Sequence, residues 1–212
     1  MSVTQERSLP EFERIDLRGV GKVVVRQAEV ASVVVQAPEN VIDRLRTEVR
    51  ERELIIGLRW WPLLFAWASV RDIEIHVAVP RLRGLVVSGA GKIVTPEPIE
   101  AEDLDLKLSG AGSLEIKVSA RKIVARLSGA GSITAAGNAE SLEVALTGAG
   151  RFDGSELKAT AVRIRSAGAG ETTVFAADSL DVTLTGAGTV RYRGAPKVSS
   201  RISGLGSLEA ED

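Results

Sequence analysis

The chain contains no cysteine and a single histidine, His76. Without cysteine, disulfide bonds and thiolate-ligated metal sites are excluded. One imidazole is the only candidate for a Ser-His-Asp triad or a histidine zinc site, and nothing around it resembles a nucleophile elbow. In DIEIHVAV the strand alternation sends His76 outward beside Glu74, with Ile75 and Val77 inward. We therefore expect a surface histidine, no metal and no cofactor.

Long apolar runs are also missing, so no helix of about 18 residues is predicted to span a bilayer. The opening MSVTQERSLPEFERIDL has no apolar core of a signal peptide, which predicts a cytoplasmic location if the chain is full length. Lys and Arg number 27 against 28 Asp and Glu. This near balance gives no overall field for nucleic acid, so we expect no nucleic-acid partner.

Two short motifs suggest chemistry but lack its spacing. GAGK at 89–92 has neither the length of a phosphate-binding Walker loop nor a helix after it. The acidic stretch EPIEAEDLD at 97–105 matches no calcium-binding pattern and is read as a solvated turn. Short turns and mixed outward charges also disfavour a polysaccharide-cleaving enzyme. We predict no catalytic residue and a protein that is not an enzyme.

What the chain has is a repeat. Seven units over 82–210 each carry Gly-Ala-Gly, or Gly-Leu-Gly in the last, after a Ser or Thr in all but one case, at intervals of 18 to 21 residues. A fixed period of this size is typical of a solenoid. The predicted corner glycines are Gly89, Gly91, Gly110, Gly112, Gly129, Gly131, Gly148, Gly150, Gly168, Gly170, Gly186, Gly188, Gly204 and Gly206.

Each unit alternates apolar and polar residues with the period of a β-strand, and the parity continues through the triplet. Leu108, Gly110, Gly112 and Leu114 all share it. We therefore predict that both glycines face the core where the strand bends, because an inward Cβ has no room there. Outside them we expect a ladder of small side chains: Ser88, Ser109, Ser128, Thr147, Thr185 and Ser203, interrupted by Ala167.

These features predict an all-β fold, a single-stranded right-handed parallel β-helix whose coils stack about 4.8 Å apart. A left-handed hexapeptide helix is the competitor, but the glycines interrupt a six-residue register. We expect one domain, 1–212, with seven Gly-Ala-Gly rungs in 81–212. Residues 1–80 should form a β-rich cap and the first turns, with one or two helical turns at 38–46 and a relative of the triplet in RGVGKVVV.

One connection is unusually apolar. The segment RWWPLLFAWASVR, residues 59–71, holds four of the chain's eight aromatic residues between two predicted strands. One interpretation is a loop packed back on the cap; the other is a contact for a partner, a second copy or a membrane surface. The contact residues would be Trp60, Trp61, Leu63, Leu64, Phe65 and Trp67.

The repeated φ-x-φ-[ST]-G-A-G-x-φ pattern resembles the bacterial head GIN domain family of auto-transporter adhesins. FERIDLRGVGKVVVRQ resembles the start of that family, and VRYRGAPKV resembles its closing element, through Tyr192, Gly194 and Pro196. The resemblance covers nearly the whole chain. It implies a β-helix found in envelope or exported proteins, and it transfers no catalytic residue.

Three functions remain open at this point. The first is a non-enzymatic binding or scaffold module of the bacterial cell envelope, adhesin-like, that contacts itself or an envelope component through residues 60–67. The second is a bactofilin-like structural protein that stacks end to end into filaments. The acidic residues of the C-terminal LEAED are expected to discourage such stacking. The third is a polysaccharide-active enzyme.

Overall fold

The computed structural model describes residues 2–58 and 73–211, which hold 17 strands of one sheet and a single helical turn. The first part contains β1 (Ser2–Arg7), β2 (Arg14–Gly19), β3 (Lys22–Gln27), β4 (Ser32–Pro38), α1 (Glu39–Ile42), β5 (Leu45–Arg50), β6 (Glu53–Leu58) and β7 (Glu74–Val79). The second part contains β8 (Gly84–Gly89), β9 (Lys92–Val94), β10 (Ile99–Gly110), β11 (Ser113–Gly129), β12 (Ser132–Gly148), β13 (Arg151–Gly168), β14 (Glu171–Gly186), β15 (Thr189–Arg193), β16 (Lys197–Gly204) and β17 (Ser207–Ala210).

From β8 onward the chain winds as a parallel β-helix, as the repeat predicts. Each strand pairs in parallel with the strand one repeat later, so that Leu108 lies beside Leu127 and Leu127 beside Leu146. The sheet bends at every triplet, which divides it into two walls. The pre-corner wall consists of β6, β2, β8, the parts of β10–β14 that precede a triplet, and β16. The post-corner wall consists of β7, β3, β9, the parts of β11–β14 that follow a triplet, β15 and β17.

The core lies between the two walls and is built by the predicted alternation. Leu104, Leu106 and Leu108 of the pre-corner wall and Leu114 and Ile116 of the post-corner wall are all buried. Their rows continue through the neighbouring rungs with Leu, Ile and Val. Because each inward side chain rests on its equivalent in the next rung, the rungs form one continuous apolar cluster.

The order of the first rungs in space differs from their order in the sequence. β2 and β3 form a rung whose corner, Gly19–Val20–Gly21, aligns with the first full triplet through Gly19 and Gly89. β6 then pairs with β2, and β7 pairs with β3, on the side away from β8 and β9. The strands β6 and β7 therefore lie outside a rung that precedes them in the chain.

This N-terminal end is closed by antiparallel strands. β4 pairs antiparallel with β7, β1 pairs antiparallel with β4, and β5 pairs antiparallel with β6. Of the one or two helical turns predicted at 38–46, the structure has one, at 39–42. Leu45 instead begins β5 and pairs with Leu58, because the hairpin with β6 uses these backbone groups.

Within residues 2–58 and 73–211, the fold offers no helix of the length and apolarity that crossing a membrane requires.

Candidate functional site: the outer faces of the two walls

The corner glycines determine which surfaces the rod exposes, and the two glycines of a triplet act differently. The second glycine is buried and faces the core: a Cβ on Gly131 would lie 2.4 Å from Leu108 Cδ2. The first glycine is exposed or half-buried and has a positive φ in every triplet, for example +107° at Gly129. The prediction that both glycines face the core is therefore wrong for the first one.

The first glycine is required for two other reasons. Its positive φ is a conformation that L-residues with a side chain rarely adopt. In addition, a Cβ on Gly129 would lie 2.6 Å from the carbonyl oxygen of Gly110 in the preceding rung. That same carbonyl accepts a hydrogen bond from the amide of Ala130 at 3.0 Å, so the ladder between rungs continues around the corner.

The outer face of the pre-corner wall carries two adjacent rows of side chains. The row nearest the corner is the predicted hydroxyl ladder, in which Ser109 lies beside Ser128 and Ser128 beside Thr147. The next row, two residues earlier on each strand, is rich in cations. We call it the basic row; its members in order are Lys107, Arg126, Ala145, Arg165, Thr183 and Arg201.

Three cations of the basic row are not neutralised. Arg126 lies 2.7 Å from Asp105, but Lys107, Arg165 and Arg201 form no ion pair with any residue that the structure describes. All three side chains are exposed. The basic row therefore offers charged hydrogen-bond donors directly beside exposed hydroxyl groups.

Carboxylates do lie on the same wall, farther from the corner, and most of them have partners. Arg163 lies 3.3 Å from Asp181, and Lys122 lies 2.8 Å from Glu143. The hydrogen bond from Lys122 lowers the pKa of Glu143, so this carboxyl group stays ionised at neutral pH. Both acids therefore pair with cations outside the basic row, although the charge of Arg165 also contributes to the lowered pKa of Glu143.

The post-corner wall is arranged differently. Cations along the wall face carboxylates: Lys92 lies 2.6 Å from Glu115, and Arg151 lies 2.6 Å from Glu171. Arg191 pairs with Glu171 as well, and the hydrogen bond to that carboxylate raises the pKa of the guanidinium. Two cations of this wall, Arg26 and Lys117, stand outside these pairs. The outer face of this wall is therefore largely neutralised, unlike the basic row.

A shallow groove follows the second bend of the rungs, on the side away from the glycines. Alanines from successive rungs form its floor, Phe175 lies at one end, and charges of both signs form its rim. One of those charges, Arg121, already lies 3.1 Å from Asp103. The groove offers neither a single sign of charge nor a depth that would exclude water. Its floor residues are Ala101, Ala120, Ala139 and Ala159.

The remaining sequence predictions concern His76, metal ligands and the segment at 60–67. His76 points outward from β7 and lies 3.2 Å from Glu74, with Ile75 and Val77 buried behind it. No group of three or more metal-ligating side chains occurs in residues 2–58 and 73–211. The contact predicted at 60–67 lies outside the described residues and stays a prediction.

The described residues on either side of this segment lie near one corner of the rod. β6 has Gly57 beside Arg18 of the neighbouring rung, and the carbonyl of Ile73 accepts a hydrogen bond from the amide of Lys22 at 3.0 Å. β6 therefore ends, and the described chain resumes at Ile73, next to the Gly19–Gly21 corner.

The fold defines a class: a parallel β-helix whose rungs form two outer walls. The chain belongs to the family described as putative auto-transporter adhesin, head GIN domain, which matches residues 11–196. The resemblance seen in the sequence is thereby confirmed. No curated protein sequence matches the chain.

Several solved structures share the fold over all of this chain. A putative adhesin from Bacteroides fragilis is 23% identical with a TM-score of 0.93, and 100% of this chain and 97% of that chain are covered. A putative lipid binding protein from Parabacteroides distasonis is also 23% identical, with a TM-score of 0.78 and the same coverage of 100% and 97%. A putative adhesin from Parabacteroides merdae is 20% identical, with a TM-score of 0.78 and coverage of 100% and 96%. At these identities the likeness establishes the fold alone.

Proposed function

We propose that this protein is a non-catalytic binding module of the bacterial cell envelope, and that its pre-corner wall binds an anionic polysaccharide. The observation that carries the proposal is the difference between the two walls. Lys107, Arg165 and Arg201 are exposed without an ion pair on one wall, whereas most cations of the other wall face carboxylates.

The spacing of the basic row suits a linear ligand. Neighbouring rungs of a β-sheet lie about 4.8 Å apart, so the row from Lys107 to Arg201, which spans six rungs and five spacings, extends roughly 24 Å along the rod. A polymer with repeated acidic groups could place them against several cations at once. Each surface contact is weak, and affinity arises from their number.

The hydroxyl ladder adds a second kind of contact. Ser109, Ser128 and Thr147 lie exposed beside the basic row, and a hydroxyl group can donate to and accept from sugar hydroxyls. Side chains held at fixed intervals by sheet pairing lose little entropy when they bind a ligand with a matching repeat. Family membership and neighbours named as adhesins and a lipid binding protein support binding rather than catalysis.

The test compares the two walls directly. Removal of Lys107 and Arg165 by Lys107→Ala/Arg165→Ala should weaken binding to dextran sulfate by roughly tenfold, the effect of two lost surface contacts of up to about 1 kcal/mol each. The matched control removes two cations from the other wall, Lys92→Ala/Lys117→Ala, and should bind as the wild type does. Uncharged dextran should not bind, and added salt should weaken binding.

Three outcomes would contradict the proposal: no binding of dextran sulfate by the wild type, equal losses in the two double variants, or binding that salt does not affect. Vesicles of phosphatidylcholine with and without phosphatidylglycerol provide the lipid arm. If the protein bound anionic vesicles and not the polysaccharide, a lipid surface would replace the polymer as ligand.

Filament formation is the second candidate, because the last rung has an unpaired edge. A continuing filament also needs an end that accepts that edge. At the N-terminal end the edges of β6 and β7 are occupied by β5 and β4. A cap of this kind favours a closed assembly over an open one.

A further inference from the structure

The C-terminal rung is bare on one side. In the described part of the chain, β16 pairs only with β14 and β17 pairs only with β15. The inward residues of β16 are correspondingly uncovered: Val198 is 43% exposed and Ile202 is 42% exposed, whereas their equivalents one rung earlier, Leu180 and Leu184, are buried. Free backbone groups and apolar side chains together form a surface suited to pairing with another strand.

The sequence around this last corner reads nearly the same in both directions. In R-I-S-G-L-G-S-L-E, residues 201–209, Leu205 is the centre. Ser203 mirrors Ser207, Ile202 mirrors Leu208, and Arg201 mirrors Glu209. The same symmetry occurs at 107–115, where the strands are paired on both sides. Only in the last rung does the symmetric edge lack a neighbour.

A mirror pattern of this kind matches a two-fold axis. β16 runs toward the corner and β17 runs away from it. A rotation about an axis perpendicular to the stacking direction, which passes beside Leu205 at half a strand spacing beyond the last rung, therefore lays β16 of one copy antiparallel on β17 of a second copy. The same rotation forms this pair twice, which is the property of an isologous dimer interface.

The charges at the two ends of the symmetric sequence are opposite, as this arrangement requires. Arg201 is exposed and has no ion pair in the described chain, and the rotation places it opposite Glu209 of the second copy. Two of the C-terminal acids are partly neutralised within the chain, because Arg191 lies 3.4 Å from Glu209 and Arg193 lies 3.3 Å from Glu211. Arg201 would add a further opposite charge across the interface.

Leu205 provides an independent observation. The middle residue of the other six triplets is alanine, and Leu205 is 92% exposed at the tip of its corner. On the proposed axis, the two Leu205 side chains of a dimer lie against each other. The dimer would therefore bury a large apolar side chain that is exposed in the single chain.

We propose that the last rung is a homodimer interface in which β16 of each chain pairs antiparallel with β17 of a second copy, centred on Leu205. The dimer is closed, because each copy uses the one rung that has no covering strand within residues 2–58 and 73–211. The proposal does not depend on the ligand of the pre-corner wall. It does use Arg201, the last member of the basic row, so in the dimer the free cations left for that ligand would be Lys107 and Arg165.

The first test is the mass of the wild-type protein in sedimentation equilibrium over a range of concentrations. We expect a single transition from one chain to two, with no larger species. Mass that stays at one chain, as it would if another segment covered the edge, overturns the proposal. Mass that grows without limit overturns it too, because a closed dimer cannot do so.

The second test exchanges charges. Arg201→Glu places like charges opposite each other twice, and Glu209→Arg does the same with the other sign. Each variant alone should raise the dissociation constant by about tenfold or more, since like charges directly opposite on paired strands are destabilising. A mixture of the two variants should dimerise again, because each copy then meets an opposite charge at both contacts.

Arg165→Glu is the matched control. This residue belongs to the same basic row and is exposed without an ion pair, but it lies two rungs before the end. It should leave the dimer unchanged. Melting curves show whether each variant is folded. Loss of dimer in the control, or a mixture that stays monomeric while both variants are folded, overturns the pairing of β16 with β17.

Discussion

The two ends of the rod differ in how the outermost rung is covered. At the N-terminal end the chain folds back and covers the outermost rung with antiparallel strands, so that Val33 and Val35 of β4 are buried. At the C-terminal end the last rung stops without a cover, and Val198 and Ile202 stay partly exposed. A repeat fold needs a cap wherever its neighbours end. The chain itself provides the N-terminal cap, and we propose that a second copy provides the other.

The largest expected effect concerns a core valine of the cap compared with its exposed counterpart. Val35→Asp places a charge at a position that is 0% exposed and should destabilise the protein by roughly 3–5 kcal/mol or prevent folding. Val198→Asp, at 43% exposure, should change the stability of the isolated chain by about 0.5 kcal/mol or less. Urea unfolding at low protein concentration measures both. Equal losses would contradict the distinction between a covered and a bare end.

The corner glycines extend this comparison along the rod. Gly129→Ala in the middle combines a φ of +107° with a Cβ 2.6 Å from a carbonyl oxygen, so we expect a loss of about 3 kcal/mol. Gly19→Ala in the first corner has a φ of +106° but no described atom within 4 Å of the new Cβ. Backbone strain alone should cost about 1 kcal/mol there. The unfolding free energies of the two variants test this comparison. A larger loss of stability in Gly19→Ala than in Gly129→Ala would be inconsistent with the described geometry.

Two buried hydroxyl groups interrupt the apolar core in one rung, and the same rows return to Leu184 and Val190 in the next. Ser166 replaces the leucine found at Leu146 one rung earlier, and Thr172 follows Phe152 in its row. Both hydroxyl oxygens are buried without a hydrogen-bond partner in the described structure. Thr172→Val has nearly the same shape and removes an unsatisfied group, so it should stabilise the protein by about 1 kcal/mol. Loss of stability in this variant would indicate a partner for the hydroxyl.

The smallest effect is a dependence on pH. Lys122 lowers the folded-state pKa of Glu143, so the unfolded chain binds this proton more tightly than the folded one. The associated stability is present above the unfolded-state pKa and is lost as the pH falls through the lower folded-state pKa. Glu143→Gln should therefore melt slightly below the wild type at neutral pH, and the difference should shrink in acid. A difference that grows in acid would have the wrong sign.

The repeat made the rungs predictable, because a period of 18 to 21 residues shows which residues of successive rungs lie side by side. The inward row through Leu104, Leu106 and Leu108 followed from alternation alone. The orientation of the first glycine did not follow. Parity assumes an extended backbone, whereas the positive φ at Gly110 turns that residue away from the core.

The place of β6 in the sheet could not be predicted from the sequence either. No triplet marks β6. In the chain it follows β3, β4 and β5, yet in space it pairs with β2. Sequence showed outward charges of both signs on the walls, but not their partners. Whether Arg165 is free and Arg163 is paired depends on which residue lies beside each in the next rung, as Asp181 does for Arg163.

The central claim, that successive triplets stack in register, can be measured by electron–electron distances between spin labels. The chain has no cysteine, so labels on Ser88→Cys/Thr147→Cys and Ser88→Cys/Thr185→Cys are unambiguous. These pairs are three and five rungs apart. The second distance should therefore exceed the first by roughly 10 Å, two sheet spacings of about 4.8 Å. Equal distances, or a shorter one for the second pair, would contradict the stacked rod.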